Sequence, residues 1–188
     1  AVFEAGSGGA SSRITNAGEA TYMGLELEVI ALLTENVSLD MNYGYLDAEF
    51  DEYNARNPVT NEIENIKDVV TVTRAPENTA SLGLQYSTTN TGMGRLSARL
   101  DVAYTDSMVF HPFQNQFDSS EARTLLNARI TLDELSMGEN GNLRLSAWVR
   151  NLTDKEYREW GIDFGTLGWA GNTWGQPRTF GFDAVYTF

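Results

Sequence analysis

Residues 175–188 read GQPRTFGFDAVYTF, and this last stretch decides how the rest of the chain is interpreted. Aromatic rings occupy nearly every second position, at Phe180, Phe182, Tyr186 and Phe188. Successive side chains of a β-strand point to opposite faces, so these rings share one face and Asp183 lies on the other. The stretch therefore predicts a β-strand with one strongly apolar face.

The same alternation recurs along the whole chain. We identify seven alternating segments, at residues 20–33, 37–50, 78–87, 94–105, 123–132, 142–151 and 177–188. Each is longer than a typical strand of a soluble sheet, which has about five or six residues. No long segment has the period of a helix. The sequence predicts an all-β fold, an antiparallel up-and-down meander of about seven long strands.

The two faces of these segments differ in composition. One face is uncharged, with leucine, valine and alanine in mid-strand and tyrosines toward the ends, as at Tyr43, Tyr86 and Tyr104. The other mixes glycine and hydroxyl residues with charges of both signs, at Glu26, Glu28, Asp40, Arg95, Arg99, Asp101, Arg129, Arg144, Arg150 and Asp183. We expect these arginines to pair with Glu26, Glu28, Asp101 and Asp183. They could instead steer an anionic chelate or hold a plug.

The connections alternate between short and long, at residues 34–36, 51–77, 88–93, 106–122, 133–141 and 152–176. Outer-membrane barrels have this arrangement, with short periplasmic turns, long external loops, an apolar outer band and a polar interior. The pattern therefore predicts part of a transmembrane outer-membrane β-barrel. The alternative is a soluble sandwich or lipocalin-like barrel, in which the apolar face would point inward and pack.

Composition limits the partners and the chemistry. The chain has 188 residues and a net charge of −13, which disfavours nucleic acid and anionic membrane surfaces as partners. It contains no cysteine, so disulfides and thiolate chemistry are excluded. Its apolar runs are too short for a transmembrane helix, and residues 1–15 lack a signal-peptide pattern. We predict no cofactor and no bound metal.

Candidate functional residues lie in the predicted long loops. The single histidine, His111, could act as a base with Asp106 or Asp118, but no nucleophile is identifiable, and we predict that the protein is not an enzyme. We expect His111 to be an ordinary loop residue or a ligand contact. Three tryptophans in the glycine-rich last loop can stack on a ligand or pack that loop onto its neighbours: Trp160, Trp169 and Trp174.

Four stretches carry a family resemblance: NAGEATYMGLELEV (16–29), APENTASLGLQY (75–86), NLTDKEY (151–157) and GQPRTFGFDAVYTF (175–188). Their matching positions are Gly24, Glu26, Glu28, Pro76, Asn78, Asn151, Tyr157, Gly175, Pro177 and Arg178. In this order and with this spacing, the four stretches resemble the C-terminal part of a TonB-dependent outer-membrane receptor. The resemblance covers essentially the whole chain.

The resemblance implies a barrel of about 22 strands around an N-terminal plug. Seven strands are too few to close a barrel, since about eight is the practical minimum. We therefore expect residues 1–188 to be the C-terminal portion of the barrel domain, without the plug and beginning in an extracellular loop. We identify no eighth strand in residues 1–15.

By the same resemblance, the protein would be a receptor and active transporter for a scarce nutrient, set in the lipid bilayer of a Gram-negative outer membrane. A ferric siderophore is the expected substrate class, with vitamin B12, haem and glycans as others. TonB would supply energy through the absent N-terminal part. The last strand resembles the signal read by the outer-membrane assembly machinery, at Phe182, Tyr186 and Phe188. The alternatives are a passive porin or small structural barrel, and a soluble ligand-binding β-protein.

Overall fold

The computed structural model describes residues 2–6, 9–13, 18–57, 59–60, 62–89, 92, 94–113, 115–138 and 141–188. Asn16, the first residue of the first family motif, lies outside these residues. The described chain forms fifteen strands: β1 (Val2–Gly6), β2 (Gly9–Arg13), β3 (Ala20–Thr34), β4 (Val37–Phe50), β5 (Asn54–Arg56), β6 (Ile63–Asn65), β7 (Asn78–Ser87), β8 (Arg95–Thr105), β9 (Met108–Val109), β10 (Ser119–Ser120), β11 (Arg123–Ser136), β12 (Asn142–Arg150), β13 (Arg158–Asp163), β14 (Ala170–Trp174) and β15 (Thr179–Thr187). Two 3₁₀ turns span Lys67–Val69 and Gly165–Leu167. No helix in this part of the chain is long and apolar enough to cross a membrane.

Seven long strands form one antiparallel sheet in the order β15–β12–β11–β8–β7–β4–β3. Each long strand pairs with the long strand that follows it in the chain, so the sheet is an up-and-down meander. The seven strands coincide with the seven alternating segments of the sequence. The predicted all-β meander is therefore confirmed.

Two strand ends differ from the expectation, each for a local reason. β11 continues to Ser136 instead of ending near residue 132, because a register shift around Glu134, whose φ is 59°, forms a bulge that lets pairing resume. β15 begins at Thr179 instead of residue 177. The proline there has no amide hydrogen to donate, and the next amide, of Arg178, donates to a carboxylate oxygen of Asp154.

The strand register aligns the apolar positions into continuous rows. One row crosses all seven strands, through Ala31, Leu39, Leu84, Leu100, Ala128, Val149 and Phe180. A slip of one residue would carry a strand's apolar side chains to the charged face, so the alternation fixes the register. The apolar face is uncovered, since Leu25 is 62 % and Phe182 is 83 % exposed. Such a face matches the lipid-facing band of a membrane barrel.

The N-terminal segment forms a hairpin apart from the main sheet. It contains two short strands, β1 and β2, which pair with each other from Val2↔Arg13 to Gly6↔Gly9. Neither strand is an eighth strand of the main sheet, in agreement with the prediction. The hairpin itself was not predicted, because Gly, Ala and Ser give too weak an alternation to recognise. The hairpin is a separate two-stranded sheet and does not extend the seven-stranded one.

The buried apolar side chains lie in the long connections and not against the sheet. The long connections hold three further hairpins: β5–β6, β9–β10 and β13–β14. In the described chain, the hydrophobic residues that are less than one-tenth exposed are Tyr53, Ile66, Val72, Val109, Phe110 and Ile162. All six belong to these connections. The loops therefore have a small core of their own at one end of the sheet.

Candidate ligand-binding loops

Three long connections leave the same end of the sheet. The first loop (51–77) follows β4, the second loop (106–122) follows β8, and the third loop (151–178) follows β12. Because the strands alternate in direction, these connections all lie opposite the short turns. The strand order places the second loop between the first and the third.

Backbone hydrogen bonds join the first loop to the second. The Thr71 N–H donates to the Pro112 carbonyl oxygen at 2.9 Å, and the Arg74 N–H donates to the Val109 carbonyl oxygen at 2.9 Å. Val72, between the two donors, is buried. The two loops are thus docked side by side through main-chain atoms, with Val72 buried between the two bonded positions.

Side chains join the second loop to the third. Asn115 Nδ2 donates to Asp163 Oδ2 at 3.0 Å. Arg158 Nη1 donates to the carbonyl oxygens of Gln116 and Ser119 at 2.6 and 3.2 Å. Sequence reasoning missed Arg158 and Asn115. The one available signal was the Asn-x-x-Asp spacing, which is typical of a turn closed by its own side chains.

His111 lies in the interface between these loops. Its ring meets the Trp160 ring edge-on, with 6.5 Å between centroids, and its Nε2 is buried without a hydrogen-bond partner among the described residues. Asp118 accepts the Asn115 N–H at 3.0 Å. Asp106 accepts hydrogen bonds from the Ser107 N–H and the Asn78 side chain, which lower the pKa of the Asp106 carboxyl. These hydrogen bonds of Asp106 and Asp118 do not involve His111.

The three tryptophans of the third loop occupy different environments. Trp160 is half-buried against His111, as expected of a ring that packs loops together. Trp169 stacks on Phe164 with 4.0 Å between centroids and is 54 % exposed. Trp174 is 55 % exposed, and the Arg158 guanidinium lies 5.5 Å from its ring centroid. Trp169 and Trp174 therefore remain available as ligand contacts.

A cleft of about 450 Å³ opens between the second and third loops. Its wall combines the Trp174 and Tyr157 rings with Lys155, Arg158 and the turn around Gln116. Glu121 and Glu156 also line the cleft, so two acids balance the two cations there. The two rings suit a small molecule that carries flat groups.

The family-motif residues of the third loop close its base. Asn151 is 5 % exposed; its Nδ2 donates to the carbonyl oxygens of Lys155 and Gln176 at 2.9 and 3.1 Å, and its Oδ1 accepts the Lys155 N–H at 2.9 Å. The Tyr157 ring lies against Gly175, where a Cβ would come within 2.0 Å of the ring. Two motifs far apart in sequence are thus in contact at the base of the third loop, and we call this cluster the staple.

The same staple fixes the entry to β15. The Arg178 N–H donates to Asp154 Oδ1 at 2.9 Å, and the Arg178 guanidinium lies 3.8 Å from Asp154 Oδ2. Pro177, which precedes it, is exposed and contributes no amide donor. We define the staple as Asn151, Asp154, Tyr157, Gly175 and Arg178.

The first family motif lies on β3, at the edge of the sheet. Gly24 allows close approach to β4, because a Cβ there would lie 2.4 Å from the Tyr45 carbonyl oxygen. Glu26 and Glu28 are exposed on the charged face, opposite the neutral residues Gly44 and Asn42. Neither glutamate forms an ion pair within the described chain, so their predicted pairing with the arginines was wrong.

Most of the arginines on the charged face form ion pairs with acids other than Glu26 and Glu28. Arg99 bridges Asp40 at 2.9 Å and Asp101 at 2.8 Å, and Arg129 pairs with Asp183 at 3.1 Å. Asp101 and Asp183 are partners that the alternation predicted. Two further pairs use acids near the β11 bulge, Arg144 with Asp133 and Arg95 with Glu134. Arg150 instead lies over the Trp148 ring at 5.2 Å.

The aromatic end of β15 is the most exposed apolar part of the sheet. Phe182 is 83 %, Tyr186 53 % and Phe188 96 % exposed. The Tyr186 ring lies beside Gly141, where a Cβ would come 2.4 Å from its hydroxyl oxygen. Among the described strands, β15 pairs only with β12, so its other edge is open.

Comparison with known proteins identifies the family. Residues 2–152 match the model of the family described as TonB dependent receptor-like, beta-barrel. The ferric yersiniabactin uptake receptor FyuA from Yersinia pestis is 25 % identical with a TM-score of 0.69, over 92 % of this chain and 24 % of that one. BauA, the ferric preacinetobactin receptor from Acinetobacter baumannii, is 22 % identical with a TM-score of 0.66, over 92 % of this chain and 22 % of that one. No curated protein matches the chain.

The chain thus spans about a quarter of the length of either solved structure. The match confirms the resemblance drawn from the four motifs, and with it a strand-built membrane barrel in the Gram-negative outer membrane. The apolar band, the alternation of turns and loops, and the family model agree. The chain belongs to the β-barrel family of the TonB-dependent receptors.

Proposed function

We propose that the protein takes up a ferric siderophore across the outer membrane, and that residues 1–188 are the C-terminal portion of its barrel domain. The observation that carries the proposal is the packed group of three loops at one end of an apolar-faced sheet, with Trp169 and Trp174 about half exposed. FyuA and BauA, which share the fold, are receptors for ferric complexes. Vitamin B12, haem and glycans are the other candidate substrate classes.

Transport of this kind depends on TonB, which would act through a plug outside this chain. Ligand would first meet the outer loops, where His111, Trp160, Trp169 and Trp174 are the candidate contacts. Trp160 and His111 are partly enclosed in the loop interface, so they support the ligand surface more than they form it. Trp174 and Trp169 form that surface.

Iron uptake by the intact receptor tests the proposal. Cells in which this receptor is the sole one are supplied with radiolabelled ferric yersiniabactin or ferric preacinetobactin. We expect uptake of at least one complex and its loss when TonB is deleted. Uptake that continues without TonB would indicate a passive porin, and no uptake of either complex would contradict the substrate class.

A matched pair of variants localises the ligand surface. Trp174→Ala is expected to lower affinity about tenfold, because a stacking ring is lost. Leu167→Ala removes a side chain of the same loop that is 62 % exposed and should leave affinity unchanged. Equal effects of both variants would argue against a specific role for Trp174.

A further inference from the structure

Arg158 makes the shortest side-chain hydrogen bond between two of the long loops among the described residues. It lies at the start of β13 in the third loop, and its Nη1 donates to two carbonyl oxygens of the second loop, at Gln116 and Ser119. Its guanidinium also lies over the Trp174 ring, 5.5 Å from the ring centroid. One side chain therefore connects the backbone of one loop with the exposed aromatic of the other.

The turn that receives Arg158 is closed by its own side chains. Asn115 Oδ1 accepts the N–H groups of Phe117 and Asp118 at 2.7 and 3.2 Å, and Asp118 Oδ1 accepts the Asn115 N–H at 3.0 Å. Asp118 is 3 % exposed. The turn's own side chains thus bind its amide groups, whereas its Gln116 and Ser119 carbonyl oxygens accept from Arg158 of the third loop.

Two further contacts align β13 with that turn. Gly161 passes so close that a Cβ would lie 2.4 Å from the Phe117 carbonyl oxygen. Asn115 Nδ2 donates to Asp163 Oδ2 at 3.0 Å. Arg158, Gly161 and Asp163 thus contact one turn along the length of a single strand.

We propose that Arg158 is a positioning residue, which locks the second and third loops into one preformed unit and thereby holds Trp174 in place for ligand. This inference rests on the proposed function, because it assigns a purpose to the loop surface. Arginine suits the task, since the two N–H groups of its Nη1 reach two carbonyl oxygens while the guanidinium lies over a ring. A surface ordered before ligand arrives avoids the entropy cost of ordering during binding.

Hydrogen–deuterium exchange of the intact receptor in detergent micelles tests the lock without any ligand. In Arg158→Gln we expect the Phe110 amide, which donates to the Asp118 carbonyl oxygen, to exchange about tenfold faster. The matched control is Arg178→Gln, which removes an arginine that pairs within the third loop. It should leave the Phe110 amide unchanged. Arg158→Lys, which keeps the charge but loses the fork, should give an intermediate rate.

A second variant guards against a trivial loss of folding. Gly161→Ala forces the turn away from β13 without touching the arginine, and should accelerate exchange in the second loop in the same way. The Gly175 amide, which donates to the Tyr157 carbonyl oxygen, reports whether the base of the third loop is intact. Unchanged exchange of the second loop in both Arg158→Gln and Gly161→Ala would overturn the lock.

Ligand binding separates this inference from the proposed function. Ferric yersiniabactin and ferric preacinetobactin serve as probes, and Arg158→Gln is expected to weaken binding about tenfold, with Arg158→Lys partly restoring it. If the unmodified receptor binds neither probe, the proposed substrate class fails while the exchange data still decide the lock. Faster exchange with unchanged affinity would overturn the positioning role.

Discussion

Two glycines in this sheet leave space that is filled by larger side chains of neighbouring strands. Gly83 lies under the Asp40–Arg99–Asp101 bridge, and a Cβ there would come 2.2 Å from Arg99 Nη2 and 2.4 Å from Asp40 Oδ2. Gly181 receives the Trp148 ring in the same way, with 2.5 Å to the nearest ring atom. A missing side chain on one strand thus makes room for a long side chain on the next.

Gly83→Ala is therefore expected to break the bridge across β7. The arginine and the acids are about two-fifths exposed, so solvent screening limits the loss to about 1 kcal/mol. Urea unfolding of the receptor in micelles, followed by tryptophan fluorescence, measures it. Gly171→Ala is the control, because a Cβ there would meet its nearest atoms only at 3.7 Å. Equal stability of both variants would contradict the claim that the ion pairs need the space left by Gly83.

Asp106 predicts a pH dependence at the start of the second loop. Hydrogen bonds from the Ser107 N–H and the Asn78 side chain lower its pKa in the folded protein. The stabilisation is fully present above the ordinary carboxyl pKa of about 4 and is lost as pH falls through the lowered value. Asp106→Asn should reduce stability at pH 7, and the difference should shrink as pH falls below about 4. If the urea midpoints of Asp106→Asn and the unmodified receptor differ by the same amount at every pH, the prediction is wrong.

At the scale of elements, the third loop shows how local motifs and distant contacts combine. Its base is the staple, and its β13–β14 hairpin leans on the neighbouring loop through Arg158. Asn151 and Asp154 both have positive φ, 49° and 54°. Asparagine and aspartate tolerate this conformation better than most residues. The staple residues were recognisable as a motif, but their mutual contact was not.

Asn151→Ala is expected to open the third loop. It removes three hydrogen bonds of a buried side chain and places alanine at a φ of 49°. The local free energy of opening should fall by about 2–3 kcal/mol. Trypsin cleavage at Lys155 in the intact receptor reports the opening. Leu152→Ala, at the adjacent exposed position, should be cut at the original rate.

The aromatic end of β15 is expected to matter for assembly and not for stability. Phe188 is 96 % exposed and contacts only the Tyr186 ring, at 6.1 Å between centroids, among the aromatic pairs of the described chain. Phe188→Ala should lower the amount of receptor in the outer membrane several-fold while leaving its melting temperature unchanged. Quantitative blotting of membrane fractions and thermal unfolding of the purified receptor measure the two effects. Phe113→Ala, in the second loop, is the control.

At the scale of the whole molecule, the burial of apolar side chains is the reverse of that in a soluble protein. The small core lies among the loops, and the large apolar surface of the sheet faces outward. The sheet also has two open edges, at β3 and β15. In water, an apolar face and unpaired strand edges both favour association.

Residues 1–188 expressed alone are therefore expected to aggregate in water and to disperse only in detergent. Light scattering with and without micelles distinguishes the two states. A monodisperse sample without detergent would contradict the lipid-facing assignment of the apolar face.

The sequence by itself determined the meander, the register and the two faces. Successive side chains of a β-strand point to opposite faces of the sheet. The alternation of apolar and polar residues therefore decides by itself which residues face lipid and which face the interior. Loop contacts followed a different rule. Arg158 reaches Gln116 and Ser119 across 42 and 39 residues, and no local periodicity encodes a meeting of that kind. Only the tertiary structure decided which loops dock, where the core lies and which tryptophans stay exposed.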